Sequence, residues 1–321
     1  MIARNLILKT SSLKPVERIV RGSRTFRPLV SRFIAGDTLE ESLSACEVVL
    51  KKGIKVTLDY LGENTKSEAE ALAAKATYSK MLERISTVPE FATFVKEHGH
   101  EPKIARDPLN ISIKLTQCGL DQSLEFAEKN FRDVLQIAKD RGNFVRVDME
   151  ASEYTERTIE MIEKVWPEFK NTGTVLQSYL FRTDEDVERM IAIGARVRIV
   201  KGAYLEPASV AFPEKAKVDE AYVRQAKRLL SAGFYPAIAT QDETIINELK
   251  RYVANEKIDR QSFEFQMLYG IRRDLQEGLV NEGFNVRVYV PFGDAWYPYF
   301  TRRLAERPAN MMFMAKSLFK G

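Results

Sequence analysis

The sequence predicts a (β/α)8 barrel, because eight short β-rich segments alternate with segments of helical spacing along 321 residues. Most of these strands are too apolar for a half-solvated sheet, which is typical of parallel strands buried on both faces. No G-x-G-x-x-G turn follows the first strand, so a Rossmann sheet is disfavoured. Because no linker rich in Pro, Gly or Ser divides the chain, we predict one barrel domain over residues 37–321, preceded by a helical segment over residues 1–36.

Each predicted strand is a run of β-branched, aromatic and aliphatic residues that ends in polar residues or glycine. In chain order the runs are KVTLDYLGE from Lys55, NISIKLT from Asn110, NFVRVDME from Asn143, GTVLQSYL from Gly173, VRIVKGAY from Val197, YPAIATQD from Tyr235, FEFQMLYG from Phe263 and VRVYVPFG from Val286.

The segments between the strands place apolar residues three and four apart, as an amphipathic helix does. The clearest are DQSLEFAEKNFRDVLQIAKDRG, SEYTERTIEMIEKVWPEF, TDEDVERMIAIG, VDEAYVRQAKRLLSAG and DETIINELKRYVANEK. Thr183 and Asp242 are predicted N-caps, and Gly142, Gly194 and Gly233 are predicted to end helices.

Composition excludes several classes of protein and of site. The net charge is only +4, so no large charge imbalance points to nucleic acid as a partner. Cys46 and Cys118 fit a reduced chain without a disulfide framework. No CxxC, HExxH or EF-hand motif appears, and weak metal binding by the His98–Gly99–His100 segment stays open as an alternative to a solvated loop. The two histidines, His98 and His100, are predicted to lie in a solvated polar loop, so a Ser-His-Asp triad is disfavoured.

The first 36 residues are basic, with one acid, Glu17. Their cations are Arg4, Lys9, Lys14, Arg18, Arg21, Arg24, Arg27 and Arg32. We expect short helices that lead into the barrel; a mitochondrial presequence and a surface for anionic lipid stay open as alternatives. No apolar run has the length of a transmembrane helix.

Polar side chains mark the C-terminal ends of seven predicted strands, where barrel enzymes carry their reactive groups. They are Lys114, Asp148, Glu150, Gln177, Arg198, Lys201, Gly202, Ala203, Tyr204, Thr240, Gln241 and Tyr289, while Glu264 and Gln266 lie in the seventh strand. Spacing alone leaves open which of Asp148 and Glu150 points inward. The set is rich in cations and hydrogen-bond donors and includes a glycine that would let the backbone approach a ligand. It suits a cofactor with phosphates and a heteroaromatic ring, plus an anionic substrate.

A helix with adjacent arginines follows the eighth strand. Tyr299, Arg302, Arg303 and Glu306 are three or four residues apart and share one face. Two neighbouring guanidiniums form a fork for one carboxylate, and the tyrosine and glutamate could hold them in place. This pattern indicates a small acidic molecule as the ligand.

The motifs SIKLT, VRVDMEAS, VLQSYL, RIVKGAY, EFQMLYG and YVPFGDAWYPYFTRRLAE, between Leu58 and Asn310, resemble those of proline dehydrogenase. The resemblance implies a distorted (β/α)8 barrel that binds FAD, with extra N-terminal helices and the eighth helix placed over the active site. It further implies oxidation of L-proline to Δ1-pyrroline-5-carboxylate, the first step of proline catabolism to glutamate, with electrons passed to membrane quinone. The length is similar to that of the single-function bacterial form.

The resemblance also implies residue roles. Asp148 and Arg198 are the implied catalytic residues, and Arg198 lies near flavin N5. The implied substrate-binding residues are Lys114, Tyr204, Leu268, Tyr289, Tyr299, Arg302 and Arg303, of which the last two pair with the proline carboxylate. The implied FAD-binding residues are Met149, Gln177, Arg198, Lys201, Gly202, Ala203, Thr240, Gln241 and Glu306, of which Glu306 also steadies the second arginine.

One departure from the family pattern follows the sixth strand, where the family usually has Ala-Thr-His. Here Ala239, Thr240 and Gln241 occupy those positions. Glutamine donates a hydrogen bond but carries no positive charge. We therefore expect FAD to bind, with lower affinity than in the usual form.

In the implied reaction C5 of proline loses the hydride, because the double bond of the product joins N1 to C5. Hydride loss needs the amine lone pair, so neutral proline is the reacting form. A charged amine beside Arg302, Arg303, Arg198 and Lys114 is disfavoured by like charge. The sequence identifies no general base.

Two other functions remain open at this level. A barrel without flavin could act as a lyase or aldolase on a carboxylated metabolite, with Lys201 or Lys114 forming a Schiff base. Alternatively, the barrel could be a scaffold that the basic segment docks on a membrane. We expect a cytoplasmic enzyme. Peripheral contact with the inner face of the membrane and binding to pyrroline-5-carboxylate dehydrogenase are further expectations to test.

Overall fold

The computed structural model describes residues 27–62, 65–98 and 107–306. Eight parallel strands pair in sequence order, and the last pairs with the first, so the predicted closed barrel is confirmed. The strands are β1 (Lys55–Tyr60), β2 (Leu109–Ile113), β3 (Val145–Val147), β4 (Thr172–Gln177), β5 (Arg196–Val200), β6 (Ala237–Ala239), β7 (Glu264–Leu268) and β8 (Asn285–Phe292).

Helices surround this barrel. They are α1 (Arg27–Val30), α2 (Leu39–Leu50), α3 (Glu68–Ile85), α4 (Pro89–His98), α5 (Leu124–Asp140), α6 (Ser152–Val165), α7 (Thr183–Ile193), α8 (Lys215–Ala232), α9 (Glu243–Asn255), α10 (Arg273–Asn281) and α11 (Tyr297–Glu306).

The helix boundaries follow local capping chemistry, with one correction. Asp242 caps α9 as predicted, since its carboxylate accepts from the Thr244 N–H at 3.2 Å. Gly194 ends α7 in the left-handed conformation, with φ of 74°. The prediction for Thr183 was wrong by one residue: it is the first helical residue, and Arg182 stands at the cap position. The Thr183 hydroxyl instead donates to the Gln177 carbonyl at 2.5 Å, which joins the start of α7 to the end of β4.

The strands are buried on both faces, but the two faces differ chemically. Leu58 of β1 packs in the apolar core between the strands and the helices. Its neighbour Thr57 faces the other way and donates to the Asn110 side chain of β2 at 2.7 Å. Because side chains alternate along a strand, the apolar face packs on the helices and the polar face lines the barrel interior.

Ion pairs fill the N-terminal part of the barrel interior. The Arg287 guanidinium lies 2.7 Å from the Glu264 carboxylate and 3.4 Å from that of Asp107. Arg196 pairs with Asp107 at 3.2 Å, and all four side chains are nearly inaccessible to water. Buried charges need partners of opposite sign and hydrogen bonds, and these groups supply both. This paired layer forms the floor beneath the C-terminal mouth of the barrel.

Helix α11 packs against the chain that precedes α2. The buried members of this second apolar cluster are Phe33, Ile34, Leu61, Trp296, Tyr297, Tyr299 and Phe300. Trp296 and Phe300 meet edge to face, with ring centroids 5.7 Å apart. The Ala35 N–H also donates to the Pro291 carbonyl of β8 at 2.9 Å. Residues 27–36 therefore contact the barrel and α11, while the rest of the predicted basic segment lies outside the described residues.

The described ranges bear on two further expectations. His98 is the last residue of α4 rather than a loop residue, which corrects that prediction; His100 lies outside the described part. Among the helices of the described ranges, none has both the length and the apolar character needed to cross a membrane.

Candidate active site

A buried lysine joins the C-terminal ends of β1, β2 and β3. The Lys114 ammonium nitrogen lies 3.0 Å from Asp59 Oδ1 and 3.6 Å from Asp148 Oδ2. The side chain of Asp59 is fully buried, and that of Lys114 is 6% exposed. The strand order of the barrel brings these three groups together, because the C-terminal ends of neighbouring parallel strands lie at the same end of the barrel.

Of the two acids that follow β3, Asp148 is the one that contacts the charged side chains of the barrel interior. Its Oδ1 accepts from Arg198 Nη1 at 2.7 Å and from the Ser112 hydroxyl at 2.9 Å. Its Oδ2 accepts from the Tyr289 hydroxyl at 2.7 Å. Three of the predicted residues, Asp148, Arg198 and Tyr289, thus form one hydrogen-bonded group with Lys114 at its side.

Glu150 has a structural task instead. Its carboxylate accepts from the Thr116 N–H at 3.2 Å and from the Thr116 hydroxyl at 2.7 Å. Its backbone carbonyl accepts from Gln177 Nε2 at 2.9 Å. Glu150 therefore holds the turn after β2, and Gln177, a predicted flavin contact, joins the ends of β3 and β4.

Burial and neighbouring charges set the ionisation of the group. Burial raises the pKa of Asp59 to about 6, and the Lys114 charge opposes that rise. Burial alone would also raise the pKa of Asp148, but the charges of Arg198 and Lys114 and the hydrogen bonds it accepts bring it below the ordinary value. Burial, followed by the carboxylates of Asp148 and Asp59, raises the pKa of Tyr289 well above its ordinary value. At neutral pH Asp148 is ionised, and Tyr289 is a neutral donor.

Arg198 is held on three sides. Its Nε donates to Gln266 Oε1 at 2.5 Å, and its Nη2 donates to the Ser112 hydroxyl at 3.3 Å, in addition to the contact with Asp148. The guanidinium carbon lies 5.2 Å from the centroid of the Tyr289 ring. These contacts fix a positive charge near the centre of the mouth.

The rim formed by β5 and β6 carries a second set of charges. The Lys201 ammonium lies 2.6 Å from Asp219 on α8 and 3.0 Å from Asp242 at the start of α9. The Asp242 N–H donates to the Thr240 hydroxyl at 3.1 Å, and Gln241 between them is half-buried. Lys201 is therefore positioned by two carboxylates, which the sequence did not reveal.

Gly202 adopts a backbone conformation with φ of 117°. A Cβ atom at this position would lie 2.4 Å from the ring of Tyr179. The packing of Tyr179 therefore requires glycine here, and the predicted approach of the backbone to a ligand stays a prediction.

The loop that follows Gly202 is held by a long-range cap. The Glu206 carboxylate accepts from the Ser152 N–H at 2.8 Å and from the Ser152 hydroxyl, although the two residues are 54 positions apart. Ala151, at the N-cap position of α6, has no side chain that can accept a hydrogen bond, so Glu206 caps this helix in its place. The cap draws the loop that carries Tyr204, a half-buried predicted substrate contact, toward the end of β3.

The remaining predicted residues are distributed around the mouth. Met149 is buried after β3, Ala203 is exposed after β5, and Leu268 is partly buried at the end of β7. Tyr299 is buried in the second apolar cluster, against which Tyr289 packs. This contact places helix α11 beside the Asp148 group.

The predicted carboxylate fork falls on the last part of α11. Arg302, Arg303 and Glu306 are helical positions, but their side chains lie outside the described part of the chain. Their predicted roles therefore stay predictions.

Sequence reasoning missed Asp59 and Ser112. Asp59 is the one acid before the glycine in the apolar run KVTLDYLG, a signal that could have added the first strand to the set of polar strand ends. Ser112 offered no such signal, since a serine inside a strand is commonplace and only its contacts with Asp148 and Arg198 reveal its place.

Comparisons with known proteins place this arrangement in a family. The sequence profile described as proline dehydrogenase matches residues 43–316. The chain is 38% identical over 317 residues to proline dehydrogenase 1 of Bacillus subtilis (strain 168), a match that covers 99% of each chain. It is also 38% identical over 323 residues to the proline dehydrogenase of Deinococcus radiodurans, covering 99% of this chain and 98% of that one.

Longer proteins contain a similar barrel. The bifunctional protein PutA of Escherichia coli (strain K12) is 25% identical over 321 residues, covering 90% of this chain and 24% of that protein. The crystal structure of proline utilization A (PutA) from Bdellovibrio bacteriovorus, inactivated by N-propargylglycine, superposes with a TM-score of 0.79 at 26% identity. That superposition covers 95% of this chain, which spans 36% of the length of the PutA chain.

Proposed function

This chain belongs to the proline dehydrogenase family, and we propose that it oxidises L-proline to Δ1-pyrroline-5-carboxylate with FAD as the hydride acceptor. Membership makes it an enzyme of proline catabolism that oxidises proline. The cofactor, the transfer of hydride from C5 to flavin N5 and the passage of electrons to quinone are the proposed part. The observation that supports them most strongly is the buried group of Asp148, Arg198, Tyr289 and Lys114 at the barrel mouth.

The residues around the mouth fit a flavin. Arg198 presents a fixed guanidinium at the centre, and Lys201, Thr240 and Gln241 are partly exposed on the rim of β5 and β6. The polar edge of a heteroaromatic ring needs hydrogen-bond donors at the centre of the barrel mouth. The phosphate chain needs donors toward the rim of the mouth. Lys201 is already paired with Asp219 and Asp242, so its one remaining ammonium hydrogen would serve the cofactor.

When bound, FAD would supply the acceptor for the hydride, which carries both electrons of the oxidation. The task of Arg198 is to place positive charge where negative charge develops during this transfer. Its contacts with Asp148, Ser112 and Gln266 keep the guanidinium oriented before the substrate arrives, so no reorganisation is needed at the moment of reaction.

The proposed substrate site lies between the mouth and α11. Arg302 and Arg303 would pair with the proline carboxylate, while Tyr204, Leu268 and Tyr299 would surround the ring. A carboxylate held by two guanidiniums fixes the C5–H bond relative to the acceptor, and such orientation can lower a barrier by about 7–11 kcal/mol in favourable cases.

The structure changes the expected reason why proline reacts as the neutral amine. Lys114 and Arg198 were expected to repel a charged amine. Their charges are offset by Asp59 and Asp148, which lie 3.0 Å and 2.7 Å from them. The cation-based argument thus depends on Arg302 and Arg303, together with the desolvation of the amine on entering the mouth.

The two lysines also bear on the lyase alternative. The ammonium groups of Lys114 and Lys201 each lie within 3.6 Å of two carboxylates. This geometry commits them to ion pairs, whereas a Schiff-base lysine must present its nitrogen to a carbonyl group. We therefore favour the oxidoreductase.

The further partners form part of the same proposal. Electrons would pass from reduced FAD to quinone at the inner face of the membrane, and the product would pass to a pyrroline-5-carboxylate dehydrogenase. The description of the E. coli relative as bifunctional supports a close link between two activities.

One experiment tests the proposal directly. The purified protein, saturated with FAD, is mixed with L-proline in the absence of oxygen, and the visible flavin absorbance is recorded. We expect the flavin spectrum to bleach with L-proline and to return when a soluble quinone is added. Buffer alone and L-alanine are the controls. A flavin that stays oxidised in the presence of L-proline would reject the proposed cofactor role.

A further inference from the structure

A continuous line of hydrogen bonds connects the barrel floor to Arg198. Glu264 begins β7 on the floor, and Gln266 lies two residues nearer the mouth on the same face of the strand. Gln266 Nε2 donates to Glu264 Oε1 at 2.5 Å, and Gln266 Oε1 accepts from Arg198 Nε at 2.5 Å. Glu264, Gln266 and Arg198 are all buried, and none is more than 5% exposed to solvent.

The charge of Glu264 decides which way the Gln266 amide points. Burial would raise the pKa of Glu264, but the charges of Arg287 and Lys55 lower it to about 2. Arg287 Nε donates to the same Glu264 oxygen at 2.7 Å. An ionised carboxylate only accepts hydrogen bonds, so Gln266 must turn its NH2 group to Glu264. Its carbonyl oxygen is then forced toward Arg198.

The orientation of Arg198 depends on this carbonyl. The guanidinium is planar, so its Nε contact and its Nη contacts are coupled. With Nε on Gln266, Nη1 reaches Asp148 on the β3 side and Nη2 reaches Ser112 on β2. The Gln266 contact comes from the opposite side of the barrel, which keeps the guanidinium from rotating within its plane.

We propose that Glu264 and Gln266 are positioning residues, with Glu264 fixing the amide of Gln266 and Gln266 fixing the guanidinium that serves hydride transfer. This inference rests on the proposed function, which it deepens by assigning the origin of the Arg198 orientation. Glu264 acts only through Gln266, because it lies on the barrel floor among Arg287 and Tyr235.

The test variant is Gln266→Met, which has a similar volume and removes both the acceptor and the donor. The matched control is Gln225→Met. Gln225 is also buried, but it lies on the outer helix α8 and donates to Asp184 at 3.2 Å. If Gln266→Met does not fold, Gln266→Asn replaces it, since a side chain shorter by one methylene cannot bridge Glu264 and Arg198.

Three measurements separate positioning from general damage. In the Gln266 variant we expect the rate of flavin reduction by saturating L-proline to fall at least tenfold. We expect the reduction potential of bound FAD to become more negative, because a displaced guanidinium stabilises reduced flavin less. We expect the dissociation constant of FAD to change less than threefold. The Gln225 control should match the wild-type protein in all three.

A crystal structure of the ligand-free variant makes the inference independent of the proposed reaction. We expect Arg198 to turn, with its Nη1 leaving the 2.7 Å contact with Asp148. An unchanged guanidinium, or an unchanged reduction rate and potential, would overturn the positioning role. A wild-type protein that L-proline fails to reduce would instead overturn the proposed function, and the crystal structures would still decide the role of Gln266.

Discussion

Asp59 and Lys114 form a buried ion pair across the ends of β1 and β2, with 3.0 Å between Oδ1 and the ammonium nitrogen. Neither side chain has appreciable contact with water. Removing one partner of a buried pair costs about 3–5 kcal/mol in typical cases, and the loss of Asp59 should cost less because Lys114 also lies 3.6 Å from Asp148. The pair therefore controls both the stability of the mouth and the placement of Lys114.

The Asp59→Asn variant should change how stability depends on pH. Because the pKa of Asp59 is about 6 in the folded chain and has its ordinary lower value when unfolded, the folded state binds the extra proton between these values. The stability contribution of Asp59 thus falls as pH rises from about 4 to about 6. Urea unfolding of the wild-type protein and of Asp59→Asn across this range should give free energies of unfolding whose difference changes with pH.

The control for that comparison is Asp133→Asn, which removes a surface ion pair with Lys75 at 2.9 Å. Its stability difference from the wild-type protein should be small, about 0–1 kcal/mol. A constant stability difference between wild type and Asp59→Asn from pH 4 to pH 7 would contradict the assignment.

The arginine fork predicts a loss of substrate affinity. Arg302→Met or Arg303→Met should raise KM for L-proline and lower kcat/KM by the equivalent of about 2–5 kcal/mol, because a charge-assisted pair is lost in a closed site. FAD should remain bound. Steady-state kinetics with flavin quantification checks both, and Arg251→Met, on the exposed face of α9, is the control. Proline kinetics like those of the wild-type protein in both variants would refute the fork.

The Gln241→His variant tests the departure from the family pattern. Histidine can carry a positive charge near the rim, so it should tighten FAD binding, most clearly below about pH 6.5. Fluorescence titration of the apoprotein with FAD at two pH values measures the dissociation constant. Equal constants for the two proteins at both pH values would discard the idea that Gln241 weakens binding.

Gly202 and Gly194 provide a matched pair of glycines with positive φ. A Cβ at Gly202 would meet Tyr179 at 2.4 Å, whereas nothing lies within 4 Å of one at Gly194. We expect Gly194→Ala to cost about 1–2 kcal/mol from its backbone conformation alone. Gly202→Ala should cost about 1–3 kcal/mol more from overpacking and should weaken FAD binding. Urea unfolding and FAD titration are the measurements, and equal costs at the two positions would contradict the packing argument.

Local patterns in the chain were sufficient for much of the fold. The barrel, the strand order and the cap at Asp242 follow from periodicity and capping chemistry, which act over a few residues. The error at Thr183 arose because its hydroxyl bonds to Gln177 rather than to its own helix. A side chain with two available partners cannot be assigned from its neighbours in sequence alone.

The sequence by itself determined that polar residues gather at the strand ends and that their motifs belong with proline dehydrogenase. Only the tertiary structure decided that Asp148 rather than Glu150 faces the interior, that Asp59 pairs with Lys114, and that Gln266 holds Arg198. The physical reason is the separation along the chain of the residues involved, because propensity and periodicity are properties of residues that are close in sequence. Ion pairs inside a barrel join strands that are tens to hundreds of residues apart, and they exist only once the sheet has closed.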